Sequence, residues 1–235
     1  MARRARPEPN SVSRNWAIAL ALGASGIGGA MLLHRDASAP VAAGEAAAKP
    51  RLSMVTSLPL LFGEEFAIEA PANAAVERIE QSYTLVPIAV ADRASLNGFT
   101  QVLMAHPRAQ PAEVLVELDA WVRGGGRAVV LADPMLKWES GRMAGDRLRP
   151  PPDFADTGLL AHWGVRLGVD EAGSGSLRAT GSNCTVREDG LAATCRVGRG
   201  SARIIADADF MLGEGPGATQ RLDLLMAQLD MRDSR

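Results

Sequence analysis

The sequence predicts an α/β fold: an open, mainly parallel sheet flanked by helices, with a β-hairpin insertion and one N-terminal transmembrane helix ahead of it. Three observations predict it. Residues 101–132 place two short, wholly apolar strands on either side of an amphipathic helix, the pattern of a strand–helix–strand crossover buried on both faces. Two cysteines, Cys184 and Cys195, flank an Asp189-Gly190 turn. Trp16 to Leu33 (WAIALALGASGIGGAMLL) contains no charged residue.

Taken in chain order, the first element is the apolar run. Eighteen helical residues would span about 27 Å, close to a bilayer's hydrocarbon core. Arg3, Arg4, Arg6 and Arg14 precede it against one acid, Glu8, so the positive-inside rule puts residues 1–15 in the cytoplasm. Residues 16–34 are expected to be the anchor and the Ala/Pro-rich residues 35–50 a linker. Residues 51–235 are then expected on the far side of the membrane, and the reading taken is a periplasmic domain held at an inner membrane. A cleaved signal peptide is the alternative, with Ala37-Ser38-Ala39 at the right spacing for cleavage. Both readings export the same domain.

That domain is acidic: residues 51–235 hold nineteen bases and twenty-four acids. Phosphate backbones are poor partners for such a surface. Aromatics make up only 4% of the chain, too few for stacking platforms, so no nucleic-acid partner is expected. The 47% hydrophobic content excludes a disordered chain.

Leu52–Leu58 reads as the first strand and Ala72–Gln81 as a helix with Val76 and Ile79 on one face. Tyr83–Val90 reads as a strand that Pro87 confines to a sheet edge. Gln101–Ala105 is a short apolar strand. Pro111 opens a helix whose Val114, Leu115, Leu118, Trp121 and Val122 share a face, and Gly124-Gly125-Gly126 stops it. Arg127–Ala132 is the next buried strand, followed by a long loop from Asp133 to Pro152. A short helix ending in LLAHWG leads into Val165–Val169. His162 within it reads as a packing or capping histidine. With a two-residue Asp189-Gly190 turn, Cys184 falls opposite Cys195 as a hydrogen-bonded pair, and a disulfide is expected. Ala202–Ala206 is a further core strand. Thr219–Met231 closes the chain as a helix with Leu222, Leu225, Met226 and Leu229 inward.

Ligands of open α/β sheets bind beyond the carboxyl ends of the strands. Ser57, Glu64, His106, Arg108, Asp133, Lys137, Trp138 and Asp207 are expected there, with Asp209 beside Asp207, as one crevice for a ligand or partner. His106-Pro107 and Asp133-Pro134 also suit plain strand-ending turns. Asp207 and Asp209 are paired carboxylates without a clear third acid. No phosphate-binding loop, zinc motif or nucleophile-elbow motif is present. No catalytic residue, metal or cofactor is expected.

Residues 105–134, AHPRAQPAEVLVELDAWVRGGGRAVVLADP, resemble the GldG family of ABC-transporter-associated proteins. SLPLLFGEE and LLAHWGV are also similar to that group, and the resemblance spans roughly residues 52–169. It implies a class I glutamine amidotransferase-like extracytoplasmic domain. That chemistry needs a cysteine nucleophile at a strand-to-helix elbow, and here the matching turn reads Ala105-His106-Pro107-Arg108. The resemblance therefore implies a non-catalytic accessory protein, with the membrane and an ABC permease or ATPase as partners. The alternative is an envelope hydrolase or degenerate amidotransferase using His106, Asp133 or Asp207. A two-lobed solute-binding protein ranks below both, because the chain is too short for two full lobes.

Overall fold

The computed structural model describes residues 48–64, 73–213, 215 and 217–231. Among these, no helix is long and apolar enough to cross a membrane. The anchor expected at residues 16–34 lies outside the described residues.

Five strands run parallel: β1 (Arg51–Thr56), β2 (Thr84–Pro87), β3 (Gln101–Ala105), β4 (Arg127–Leu131) and β9 (Gly200–Ile205). Two antiparallel strands, β8 (Ala192–Val197) and β7 (Cys184–Val186), extend the sheet. The order across the sheet is β2-β1-β3-β4-β9-β8-β7. As Pro87 requires, β2 is an edge strand. It is shorter than expected because the chain leaves the ladder at Pro87. The cysteine hairpin is not an insertion apart from the sheet: β8 pairs along all of β9 and makes it the sheet's antiparallel end.

Both faces are covered, which is why the central strands are mainly apolar on both faces, with Ser53, Gln101, Ser201 and Arg203 as buried polar exceptions. On one face, Leu52, Met54, Leu103, Leu131 and Ile205 pack under α1 (Ala74–Glu80) and α4 (Ala218–Asp230). On the other, Val102, Met104, Val130 and Ile204 pack under α2 (Ala112–Arg123) and α3 (Leu159–Trp163). Helix α1 starts where the Asn73 side chain accepts the Ala75 and Val76 N–H groups at 3.0 Å, an N-cap. The α2 face is as the spacing predicts, with Val114, Leu118 and Val122 buried. His162 is more exposed than a packing residue. Its ring lies 3.4 Å from the Asp119 carboxylate and 3.0 Å from Arg123.

Buried polar groups on the sheet are tied to the end of α4. Arg203, 1% exposed, donates to the Gln228 carbonyl, and the Gln101 amide donates to that of Leu229. Arg127 donates to the Met231 carbonyl and to Gln101 Oε1. Cationic donors thus meet orphan carbonyls at the negative end of the helix.

Two elements escape the sequence reading. β6 (Gly175–Ala179) pairs antiparallel with β5 (Val165–Val169) as a separate two-stranded sheet. Leu177 is its one buried residue, so it lacks the apolar alternation that marks a strand. A 3-10 turn, Asp209–Leu212, follows β9.

The cysteine register is as expected, Cys184 opposite Cys195, and the pair is bonded with Cα atoms 4.1 Å apart. The ladder phase is not. A type I′ turn needs positive φ at Asp189, but among the described non-glycine residues only His106 has it. Asp189 instead accepts the Leu191 N–H and pairs with Arg187 at 3.0 Å. The turn closes from Gly190 N–H to the Arg187 carbonyl. Arg187·Ala192 and Asn183·Arg196 then carry the backbone bonds, so the cysteines form a non-hydrogen-bonded pair. That class has the shorter Cα separation.

Candidate functional site

The expected residues gather beyond the carboxyl ends of the parallel strands, but as two separate sites with a buried histidine on the strand between them. Ser57 follows β1, His106 follows β3, Asp133 follows β4 and Asp207 follows β9.

His106 has φ +46° and is fully buried. Its N–H donates to the Leu131 carbonyl, and its own carbonyl accepts the Ser57 hydroxyl at 2.6 Å. Nε2 lies 3.0 Å from the Pro151 carbonyl. A carbonyl only accepts, so Nε2 carries the proton. The edge of Phe154 closes the other side, 6.4 Å between centroids. Burial holds this imidazole below the ordinary histidine range, against opposing pulls from the Pro151 carbonyl, Asp133, Asp153 and Asp209. His106 is therefore neutral at pH 7 and shut away under residues 149–154.

Asp133 is not hydrogen-bonded to His106. One carboxylate oxygen accepts the Met135 N–H and the other the Ala208 N–H, both at 2.8 Å. The side chain straps the end of β4 to the end of β9. The parallel register, Leu131 beside Ile205, brings Asp133 alongside Asp207. The carboxylates of Asp133, Asp207 and Asp209 all lie within 4.8 Å of one another. Asp133 is the third acid that spacing alone did not reveal. Asp209 belongs to the 3-10 turn rather than to a strand end as expected. Asp207 pairs with Arg221 and accepts the Asp209 N–H. Asp209 accepts the Lys137 N–H at 2.7 Å. Burial, and then the neighbouring Asp133 charge, push its carboxyl up.

These acids floor a cavity of about 300 Å³, walled by Arg221 and the Gly173–Gly175 turn. Gly175 is required there, since a Cβ would stand 1.9 Å from the Ala206 carbonyl oxygen. Chemically, three carboxylates suit a hard cation with oxygen ligands. Here backbone N–H groups and Arg221 already balance much of their charge.

Ser57 and Glu64 line a second site, an apolar groove of about 240 Å³ beyond β1 and β2. Phe62, Pro87, Arg142 and Leu148 shape it. Glu64 accepts the Gly141 N–H at 2.9 Å, and Arg142 donates to the Glu64 carbonyl. Arg108 is exposed and donates to the Arg149 carbonyl, so it holds the long loop rather than facing Asp133. Trp138 is half-buried against the α1/α4 core, and the Lys137 residue lines the acidic cavity. Sequence reading missed Arg142, Arg149 and Arg221. Arg142 and Arg149 lie in the long loop, where they hold the Glu64 and Arg142 carbonyls, and Arg221 reaches Asp207 from α4, so no local motif announces them.

No protein-family profile matches the chain, and no curated protein is similar to it. Among solved structures, the N-terminal domain of mmIFT52 is similar at 11% identity and TM-score 0.49, covering 79% of this chain and 99% of that one. The exo-β-1,4-mannosidase Op5Man5 of Opitutaceae bacterium strain TAV5 is similar at 12% identity and TM-score 0.44, covering 79% of this chain and 36% of that one. The cytoplasmic protein STM1381 of Salmonella typhimurium LT2 is similar at 10% identity and TM-score 0.41, covering 65% of this chain and 85% of that one.

Proposed function

We propose that the chain is a membrane-anchored periplasmic accessory protein of an ABC-type transport system, and that its α/β lobe binds rather than catalyses. Several features support this reading. The parallel order β2-β1-β3-β4-β9 is the flavodoxin-like one, which suits the amidotransferase-like domain that the GldG resemblance implies. The observation that carries the non-catalytic reading is His106. On the GldG resemblance, its turn corresponds to the one that holds an amidotransferase's cysteine, and here it has left-handed backbone at φ +46° and no exposed surface. With Nε2 on the Pro151 carbonyl and Phe154 edge-on beside the ring, its imidazole is turned to the interior rather than to a substrate. The hydrolase alternative on His106 needs that histidine within hydrogen-bond reach of both an acid and solvent, whereas His106 is fully buried and its Nε2 meets the Pro151 carbonyl.

Affinity purification of the tagged full chain from membranes solubilised in mild detergents tests the reading. Stoichiometric recovery of a permease or ATPase subunit is the expected result. Recovery of the chain alone in every detergent overturns the transporter association. Turnover of an amide or ester substrate that is lost in His106→Asn overturns the non-catalytic assignment.

A further inference from the structure

The stretch from Lys137 to Pro150 departs from the rest of the lobe in charge. Acids exceed bases by five across residues 51–235, yet residues 137–150 hold four bases and two acids. Arg108 joins them through a relay of backbone contacts. Arg108 donates to the Arg149 carbonyl, Arg149 to that of Arg142, and Arg142 to that of Glu64. Each acceptor is neutral, so the relay gathers three guanidinium groups, of which Arg142 is offset by a carboxylate. Asp146 pairs with Arg142 at 3.4 Å, and Arg147 is exposed.

The same loop also exposes large apolar side chains. Met143 is 83% exposed and Leu148 is 51% exposed. Leu148 continues into the apolar groove with Leu61, Pro87 and Ile88. Single exposed apolar residues need no explanation, but Leu148 extends an apolar groove that Arg142 also lines, and Met143 stands exposed in the same loop, a pairing of apolar and basic groups that suits a contact surface. Protruding aliphatic and thioether chains among arginines match hydrocarbon lying beneath phosphate: the headgroups accept guanidinium donors and the acyl boundary takes the apolar tips.

We propose that this loop docks the lobe on an anionic lipid surface, with Met143 and Leu148 entering the headgroup boundary and Arg108, Arg147 and Arg149 meeting lipid phosphates. The inference rests on the anchored reading above, which keeps a bilayer close. Residues 35–50 span at most about 55 Å when extended, and a six-residue strand such as β1 is about 20 Å long. The tether therefore exceeds the distance from the start of the sheet to the loops at its carboxyl end.

The test is hydrogen–deuterium exchange on the full chain reconstituted into two kinds of vesicle. One is phosphatidylcholine alone, and the other contains about 30% phosphatidylglycerol to supply anionic surface charge. Exchange in residues 138–149 is expected to slow several-fold in the anionic vesicles only. Met143→Asp and Arg147→Glu should each abolish the slowing. Both sites are exposed, and unchanged exchange in β8 and β9 checks that each variant is folded. Equal exchange in the two lipids overturns the proposal and leaves the surface to a protein partner. Loss of the chain from both kinds of vesicle on alkaline washing is instead a failure of the anchor. In that case the chain is added to preformed vesicles: anionic co-flotation lost in Met143→Asp upholds docking, and absent or composition-independent flotation overturns it.

Discussion

Reducing the Cys184–Cys195 bridge isolates the contribution of one covalent link, because both sulfur atoms stay in place. The bridged residues are 11 apart in sequence, and a loop of that size restricts the unfolded chain by about 3 kcal/mol on the chain-entropy relation. With a urea slope of about 2 kcal/mol/M for a domain of this size, the unfolding midpoint should fall by about 1–1.5 M. The structure also says where loosening starts. β7 is a three-residue edge strand whose ladder is to β8 alone, whereas β8 is fixed along all of β9. Backbone exchange should therefore rise first at Cys184–Val186, with β9 unchanged. The assay is urea unfolding of the full chain with and without reductant, followed by Trp fluorescence, with Cys184→Ala/Cys195→Ala as a second unbridged chain that also loses the buried Cys195 sulfur. A midpoint shift below about 0.2 M would refute the entropic argument. Early exchange in β9 would refute the placement of the hairpin as a separable edge.

Three further perturbations probe the strand ends. Asp133→Ala strips the acceptor from the Met135 and Ala208 N–H groups and should cost about 2–4 kcal/mol in urea unfolding. Asp133→Asn keeps one carbonyl acceptor and should lose about half of that, while equal losses would show that the strap is not the cause. Gly175→Ala drives a methyl against the Ala206 carbonyl, 1.9 Å away in the unrelaxed chain. It should lower stability by about 2 kcal/mol or more and open the β5–β6 pair, so an unchanged midpoint contradicts the close approach. His106 carries a pH signature. Burial lowers its folded pKa, so below the unfolded value of about 6.5 the unfolded chain binds more protons than the folded one. Stability then rises with pH through that window and levels off above it. As pH falls from about 7 to about 5.5, the urea midpoint should drop more steeply in the parent than in His106→Asn, a residue that tolerates left-handed backbone. Parallel slopes would show that the imidazole titrates freely.

The parts of the fold legible in the sequence are those whose burial is written in short-range periodicity. β3, α2 and β4 follow from continuous apolar runs around an amphipathic helix, and α4 from its Leu225, Met226 and Leu229 spacing. β6 was illegible because Ser176, Arg178 and Ala179 have no core face to declare. The turn at Asp189 misled because Asp-Gly also suits a longer loop, in which Gly190 alone takes positive φ and the Asp189 carboxylate accepts the Leu191 N–H. The site was half legible. Strand ends pointed to Ser57, His106, Asp133 and Asp207, but only the register of β4 against β9 joins Asp133 to the two later acids. Only the path of the long loop separates Glu64 and Arg108 from them. His106 stands out in sequence as a polar residue at an elbow. That Pro151 and Phe154 seal it is a tertiary fact with no local signal.

Subcellular fractionation combined with thiol alkylation tests the central claim most directly. The anchored, exported lobe should stay in the membrane pellet through an alkaline wash, be digested by protease only once the outer membrane is opened, and resist alkylation until reductant is added. Full-length protein in the soluble cytosol, with Cys184 and Cys195 both alkylated without reductant, would contradict it.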